Sequence, residues 1–368
     1  MKYFQIYWTT IGKKCIYSLL FVFLLISLDS YSQRQSIIGP HNKLLQYEGR
    51  IGVNNPKATE IYWAGSSVKI RFKGTGLKVM LKDERGYNYY NVIIDGDSIH
   101  VLKPDTSKTL YTLASRLPAG EHTVELFKRT DAKRGKTWFY GFQLPQRSTV
   151  LGIPAKKRMM EFYGNSITVG SGMYSGDTPY GDENNYQSYA AITARHFNAK
   201  YSCIARSGIG LMISWFTMIM PEMYNRLNPD DSTSKWDFSK AIPGVVVINL
   251  FQNDNALVNQ YDYPQFKKKF GDKAPTEDFI IESYRLFVQG IRNKYPNTHI
   301  ICTLGNMDAV RPGSPWPGYI EKAVAGLHDK KIYTHFFAYK DTPDHPNEAE
   351  QRQMAESLIQ FIDENIKW

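Results

Sequence analysis

The chain has few cysteines and no cluster of cysteines and histidines with metal-ligand spacing. It contains three cysteines in 368 residues, which is too few to indicate a disulfide framework. Cys203 and Cys302 each lie in an apolar segment, and this placement predicts buried free thiols. Because no set of Cys and His residues has the spacing of a zinc site, we expect no metal and no cofactor.

Long runs of one charge are also scarce, although the formal net charge is +10. The single run of three is Lys267, Lys268 and Lys269, and such a run is usually a solvated face. Dispersed basic charge suits an acidic polysaccharide or a membrane surface. No nucleic-acid-binding module is present, so we expect no nucleic-acid partner.

The sequence lacks an apolar run long enough to cross a bilayer. The longest run, at 16–28, is short against the roughly 20 residues of a membrane span. Ser30 and Ser32 then place small residues two apart, as signal peptidase prefers. We therefore predict a signal peptide at 1–32, cleaved before Gln33, and an exported protein, periplasmic or extracellular, without stable membrane insertion after cleavage. A retained N-terminal anchor is the alternative.

Hydrophobic and polar residues alternate with period two between about residues 44 and 144. The run at 90–94 ends at Asp95-Gly96, which is a strong hairpin signal. Many short strands joined by Gly, Asp and Pro turns predict an antiparallel β-sandwich. We place this domain at 40–148.

After Pro145 short apolar runs alternate with helical segments, a pattern typical of a parallel sheet covered by helices. We place this second domain at 155–368. Thr276 is the predicted N-cap of a helix at 276–293, and Asn347 caps the last helix. The five predicted strands are 159–163, 201–205, 245–251, 299–304 and 332–337.

Four of these strands are followed by residues that can carry chemistry. Ser166 and Gly208 follow the first and second strands, Asn253 follows the third, and His345 follows the fifth. In an open parallel sheet, ligands bind beyond the carboxyl ends of the strands. Each residue alone suits an ordinary loop or cap, but together at one sheet edge they favour catalysis.

These residue types are the ones that ester cleavage needs. A serine hydroxyl becomes a strong nucleophile when a base takes its proton, and a neutral imidazole does so near neutral pH. Ser166 is therefore the candidate nucleophile and His345 the base. The developing oxyanion needs preorganised donors, which the backbone N–H groups of Ser166 and Gly208 and the side-chain amide of Asn253 can supply.

The motifs resemble those of a known superfamily. Segment 164–168 resembles the Gly-Asp-Ser block of the SGNH (GDSL-like) hydrolases, with Asn165 in the aspartate's place. Gly208, segment 249–254 and His345 match its later blocks. The resemblance extends to carbohydrate esterase family two, in which a sandwich precedes the SGNH domain, through segments 62–66, 95–96, 120–124 and 128–130.

This resemblance implies a fold and an activity. The fold is an all-β jelly-roll sandwich followed by a flavodoxin-like SGNH hydrolase domain with a five-stranded parallel sheet between helices. The activity is removal of O-acetyl groups from plant polysaccharide or oligosaccharide, such as xylan or glucomannan, by a secreted acetylxylan-esterase type of enzyme without a metal. Two alternatives stay open: an SGNH esterase acting on another acyl ester, and a carbohydrate-binding protein with a vestigial site.

The chain departs from the superfamily pattern at two places. Phe251 stands where glycine is common, and its ring either narrows the pocket or packs beneath it. Thr342 stands where an aspartate usually orients the histidine. Asp344 and Asp341 are the nearby acids, and members of the family can use the backbone carbonyl before the histidine. We assign the role to Asp344, through its carboxylate or its carbonyl.

Three tryptophans of the second half are candidates for a sugar platform, because sugars commonly stack on aromatic rings in concave sites. Trp316 lies between two prolines and is the predicted substrate-binding residue. Trp215 sits in an apolar run, so a core position is equally expected for it. Trp236 is the third.

Overall fold

The computed structural model describes residues 36–174 and 178–368. The predicted signal peptide at 1–32, including its cleavage site, lies outside those residues. Within the described ranges, no helix is both long enough and apolar enough to cross a membrane.

The first part of the chain forms two six-stranded antiparallel sheets. One has the order β3-β4-β11-β6-β9 with β1 beside β11, and the other has the order β12-β5-β10-β7-β8 with β2 beside β5. The strands are β1 (Ser36–Ile38), β2 (Gln46–Glu48), β3 (Ile51–Gly52), β4 (Thr59–Ile61), β5 (Ser67–Gly74), β6 (Leu77–Asp83), β7 (Tyr90–Ile94), β8 (Ser98–Leu102), β9 (Thr109–Ala114), β10 (Gly120–Lys128), β11 (Thr137–Leu144) and β12 (Thr149–Leu151).

Alternating side chains bring the inner faces of these two sheets together. In β6 every second residue is buried, and Val79 and Leu81 pack in a core with Ile70 of the other sheet. Asp95 and Gly96 both have positive φ, at 52° and 85°, and they join β7 to β8 as the sequence predicts. The predicted antiparallel sandwich is confirmed.

The second part of the chain forms a parallel sheet of five strands. Its order is β14-β13-β15-β16-β17, which is the doubly wound order of flavodoxin-like folds. The strands are β13 (Arg158–Gly164), β14 (Ala199–Ala205), β15 (Val245–Asn249), β16 (His299–Leu304) and β17 (Ile332–Phe336). The predicted third strand continues to residue 251, whereas β15 ends at Asn249, because Phe251 takes a left-handed conformation.

Helices cover both faces of this sheet. The helices are α1 (Ser166–Val169), α2 (Tyr189–His196), α3 (Met220–Met223), α4 (Gln252–Leu257), α5 (Pro264–Phe270), α6 (Glu277–Lys294), α7 (Trp316–Ala325) and α8 (Glu348–Asn365). One face packs on α2 and α8, and the other packs on α6 and α7. Thr276 and Asn347 cap α6 and α8 as predicted.

Two smaller predictions also agree with the structure. Cys203 and Cys302 are buried free thiols in β14 and β16. Lys267, Lys268 and Lys269 are exposed at the end of α5.

The sandwich and the parallel sheet share a buried polar interface. Arg50 of the sandwich is fully buried and pairs with Glu161 of β13, with 3.2 Å between the guanidinium nitrogen and the carboxylate oxygen. The indole N–H of Trp63 donates to the Leu227 carbonyl at 2.7 Å. Gly65 has φ +74°, and a Cβ there would overlap the Tyr201 ring. The sandwich and the parallel-sheet part are therefore in direct contact.

Candidate active site

The loops that follow β13, β14 and β15 meet at the carboxyl edge of the parallel sheet. The strand order reverses between β13 and β15, and in such a sheet this reversal leaves a crevice at the carboxyl edge. Ser166 begins α1 at the end of β13, and the Asn165 side chain caps the helix by accepting the Ile167 N–H at 3.0 Å. Asn165 thus has a local reason to stand where the superfamily carries aspartate.

His345 reaches Ser166 from the loop before α8. Its Nε2 lies 2.7 Å from Ser166 Oγ, which is hydrogen-bond distance. Burial lowers the pKa of His345 below its ordinary value of 6.5, against the raising effect of the nearby Asp182 carboxylate. The neutral ring is therefore favoured near neutral pH, and its Nε2 can accept the serine proton.

The acid expected to orient His345 is not in contact with it. Among the described side chains, no carboxylate lies within 4.0 Å of a His345 ring nitrogen. Asp344 is exposed and has φ +62°, and Asp341 is exposed as well. The structure thus does not support the carboxylate form of the Asp344 assignment, because this side chain is exposed and makes no contact with the ring, and the carbonyl form stays a prediction.

Thr342, which stands in the usual aspartate position, belongs to a separate network. Its hydroxyl donates to the Glu350 carboxylate and accepts from Lys340 Nζ, the latter at 2.7 Å. Lys340 also donates to the Thr342 and Pro343 carbonyls. These bonds fix the backbone of the loop that carries His345.

Sequence reasoning missed the loop that packs against the histidine ring. Gly172 has φ +67°, and a Cβ there would lie 2.7 Å from the Cβ of His345. The Asp182 carboxylate accepts the Gly172 N–H at 3.2 Å. The close backbone approach at a positive φ explains why glycine stands at 172.

Two of the predicted oxyanion donors, Gly208 and Asn253, are joined by hydrogen bonds through the loop at 208–215. Gly208 has φ +84°, and its carbonyl accepts the Trp215 N–H at 3.0 Å. The Asn253 amide donates to the Ile209 carbonyl at 2.7 Å, and its oxygen accepts the Trp215 indole N–H at 3.1 Å. These two bonds set the orientation of the amide, and its second N–H has no hydrogen-bond partner among the residues that the structure describes.

Asp254 fixes the loop that carries Gly208 through hydrogen bonds to its backbone. Its fully buried carboxylate accepts the backbone N–H groups of Leu211, Met212 and Ile213 at 2.6–3.1 Å. Burial raises the pKa of Asp254 to about 6, although those three donors act in the opposite direction. The sequence singles out Asn253 but gives no sign of this second role next to it.

Burial decides the predictions made for two aromatic residues, Phe251 and Trp316. Phe251 is fully buried at φ +83°, and its ring centroid lies 4.9 Å from those of Tyr284 and Trp316. The ring therefore packs beneath the site. Trp316 is 4% exposed, so its predicted role as a sugar platform is wrong, because its faces are covered by core side chains.

Trp215 is an exposed tryptophan that bonds to two of the predicted oxyanion donors, Gly208 and Asn253. It is 47% exposed, and its ring lies 5.4 Å from that of Tyr263 in an edge-on arrangement. The Tyr263 hydroxyl donates to the Trp215 carbonyl at 2.7 Å. Trp236, the third candidate, lies over the Arg50 guanidinium in the interface between the two parts.

Comparisons with known proteins agree with both parts of the fold. The family model described as "Carbohydrate esterase 2 N-terminal" matches residues 47–154. A solved family two carbohydrate esterase from Clostridium thermocellum, in complex with cellohexaose, is 32% identical with a TM-score of 0.77, and the alignment covers 87% of this chain and 98% of that one.

Two curated relatives are also similar along most of the chain. The cellulase/esterase CelE of Acetivibrio thermocellus is 32% identical over 89% of this chain, which spans 40% of the length of that protein. An acetylxylan esterase / glucomannan deacetylase of Cellvibrio japonicus is 26% identical over 84% of this chain and 86% of its own length.

Proposed function

Because the chain belongs to carbohydrate esterase family two, a family of carboxylic ester hydrolases, we propose that it removes O-acetyl groups from plant cell-wall polysaccharide or oligosaccharide. Xylan and glucomannan are the proposed substrates, by analogy with the relatives named for them. The observation that carries the proposal is the 2.7 Å contact between Ser166 Oγ and His345 Nε2.

The proposed reaction proceeds through an acetyl-enzyme. Ser166 Oγ attacks the acetyl carbonyl carbon while His345 Nε2 takes the hydroxyl proton. The tetrahedral oxyanion accepts hydrogen bonds from the N–H groups of Ser166 and Gly208 and from the Asn253 amide. When the intermediate collapses, the bond between the acetyl carbon and the sugar oxygen breaks, and His345 protonates that oxygen.

A water molecule then completes the cycle. It attacks the acetyl carbon as His345 takes one of its protons, and a second oxyanion forms at the same donors. Collapse breaks the bond to Ser166 Oγ, acetate leaves, and His345 returns the proton to the serine. The Asp344 carbonyl is the proposed partner of the other ring nitrogen, because the nearby carboxylates do not contact the ring.

Trp215 is the proposed platform for a sugar ring. It is exposed, and its indole N–H bonds to Asn253, so a sugar stacked on it would lie next to the oxyanion donors. The cellohexaose bound to the Clostridium thermocellum relative supports an extended sugar chain as the ligand of this site. The N-terminal sequence supports export, and we propose that the enzyme acts outside the cytoplasm.

Acetate release tests the proposal. Wild type should release acetate from acetylated xylan and from 4-nitrophenyl acetate, and Ser166→Ala should lower kcat at least about 1000-fold. Circular dichroism checks that the variant is folded. Full activity in Ser166→Ala would refute the serine mechanism, and a preference for long acyl esters would refute the deacetylase assignment.

A further inference from the structure

Asp131 is a sandwich residue whose carboxylate reaches the catalytic part of the chain. It follows β10 and caps a short 3-10 turn, where its Oδ1 accepts the Lys133 N–H at 2.9 Å. Its Oδ2 accepts the Ser207 N–H at 2.8 Å, across 76 residues of sequence. The Asp131 side chain is fully buried, and the residues that donate to it, Lys133 and Ser207, are partly exposed.

The bonded residue directly precedes an oxyanion donor. Asp131 holds the N–H of the peptide between Arg206 and Ser207. The next peptide carries the Gly208 N–H, so this bond restricts the direction of that donor. Ser207 Oγ lies 2.7 Å from Ser171 Oγ, and the Ser171 N–H donates to the Ser166 carbonyl at 3.0 Å. The anchored loop is thus tied to the nucleophile as well.

The surroundings of Asp131 keep its position fixed. Its own N–H donates to Glu183 at 3.0 Å, and Glu183 pairs with Arg134 at 3.0 Å. Burial lowers the pKa of the nearby Lys128 to about 8, while the Asp83 and Asp131 carboxylates raise it. The charge of Lys128 is therefore stabilised by two sandwich carboxylates, Asp83 and Asp131, and Asp131 is the one that also bonds to the loop at Ser207.

We propose that Asp131 is a positioning residue that holds the Gly208 N–H in the oxyanion hole, which makes the sandwich a working part of the esterase site. The inference rests on the proposed function, because an oxyanion forms in ester cleavage. A carboxylate suits the task because both of its oxygens accept. In Asp131→Asn the amide nitrogen would face one of the two N–H donors, and one bond would be lost.

The matched control is Asp83→Asn. Asp83 is also a fully buried sandwich carboxylate near Lys128, and it accepts the Gly86 N–H at 2.7 Å and the Thr137 hydroxyl at 2.6 Å. All of its described hydrogen bonds stay within the sandwich. It therefore reports the cost of losing a buried carboxylate without touching the catalytic loop.

Kinetics on 4-nitrophenyl acetate distinguish the two variants. Asp131→Asn should lower kcat about 10- to 100-fold with KM changed less than about threefold, because the loop is held less firmly and the Gly208 N–H that it carries acts in the transition state. Asp83→Asn should lower the melting temperature and leave kcat within about twofold. An unchanged kcat in Asp131→Asn, or an equal fall in both variants, would overturn the proposal.

Hydrogen exchange reads the anchoring without substrate. In wild type the Ser207 amide should exchange slowly although the loop is partly exposed, and Asp131→Asn, not Asp83→Asn, should speed exchange at 207–213. Fast exchange of Ser207 in wild type would overturn the proposal even if Asp131→Asn did not fold. Failure of wild type to release acetate would instead refute the proposed function.

Discussion

At the scale of single residues, the protonation of His345 should govern the pH range of the proposed reaction. The base works when its ring is neutral, which is above its pKa. Burial lowers that pKa below 6.5, while Asp182 and Asp344 raise it and Lys340 and Lys133 lower it. The kcat/KM for 4-nitrophenyl acetate should therefore rise with pH to a plateau, with an apparent pKa below 6.5. A midpoint above 7 would contradict this prediction.

The unusual backbone of Phe251 gives a prediction about stability. Its ring is buried, so removal of the side chain should cost about 3–5 kcal/mol. Its φ of +83° is tolerated by glycine without strain. Phe251→Ala should therefore be less stable than wild type, and Phe251→Gly should regain about 1–2 kcal/mol of that loss. Urea unfolding measures both, and alanine as the more stable of the two would contradict the argument.

The contact between Ser166 and His345 could be predicted from the sequence, but the residues that support this pair could not. Ser166 and His345 lie in short motifs, and each motif follows a strand that the sequence predicts. Asp131 and Asp254 act on residues 76 and 43 positions away, respectively. Such contacts depend on how separate elements pack, and no local pattern encodes them. Trp316 failed for the same reason, because its flanking prolines indicate a turn but do not report burial.

At the scale of elements, the loop between β14 and α3 depends on a carboxylate with a raised pKa. Asp254 has a pKa of about 6 in the folded protein, against an ordinary value of 3.8. The folded state thus holds the proton more tightly, so this contribution to stability is present below about pH 4 and is lost as the pH rises through 6. The window lies between those two values.

The comparison of wild type with Asp254→Asn isolates this effect. As the pH falls from 6.5 to 4, the free energy of unfolding of wild type should increase relative to that of the variant, by on the order of 2–3 kcal/mol. Other carboxylates titrate in both proteins and cancel in the difference. Urea unfolding at a series of pH values provides the measurement, and parallel curves for the two proteins would contradict the prediction.

The strands and helices of the catalytic part were the most predictable elements. Apolar runs flanked by turns marked β13 to β17, and side-chain caps marked the starts of α6 and α8. The end of β15 was missed because Leu250 and Phe251 are as buried and apolar as the strand before them. Periodicity does not report the change of φ that ends this strand.

At the scale of the whole molecule, the ion pair between Arg50 and Glu161 joins the two parts. Glu161 also accepts hydroxyl donors from Tyr295 and Ser202, each at 2.9 Å. Arg50→Ala would leave the carboxylate buried without its charge partner, and we expect a loss of about 3–5 kcal/mol in the free energy of unfolding.

The control for this prediction is an exposed pair. Arg285 and Glu282 form an ion pair on the solvent side of α6, so Arg285→Ala should change stability little. Urea unfolding of both variants, followed by tryptophan fluorescence, gives the comparison. An equally small effect in Arg50→Ala would show that the interface does not depend on the buried pair.

The close fit of Gly65 against Tyr201, and the reach of the sandwich into the catalytic loops, bear on how such a protein can be recombined. A tethered module can be exchanged by gene fusion at a linker, but here a break near residue 154 would separate groups that pack together and would remove the carboxylate that accepts the Ser207 N–H. We therefore expect the sandwich and the parallel-sheet part to be inherited together. The similarity to CelE has this form, since it runs through 89% of this chain inside a longer protein.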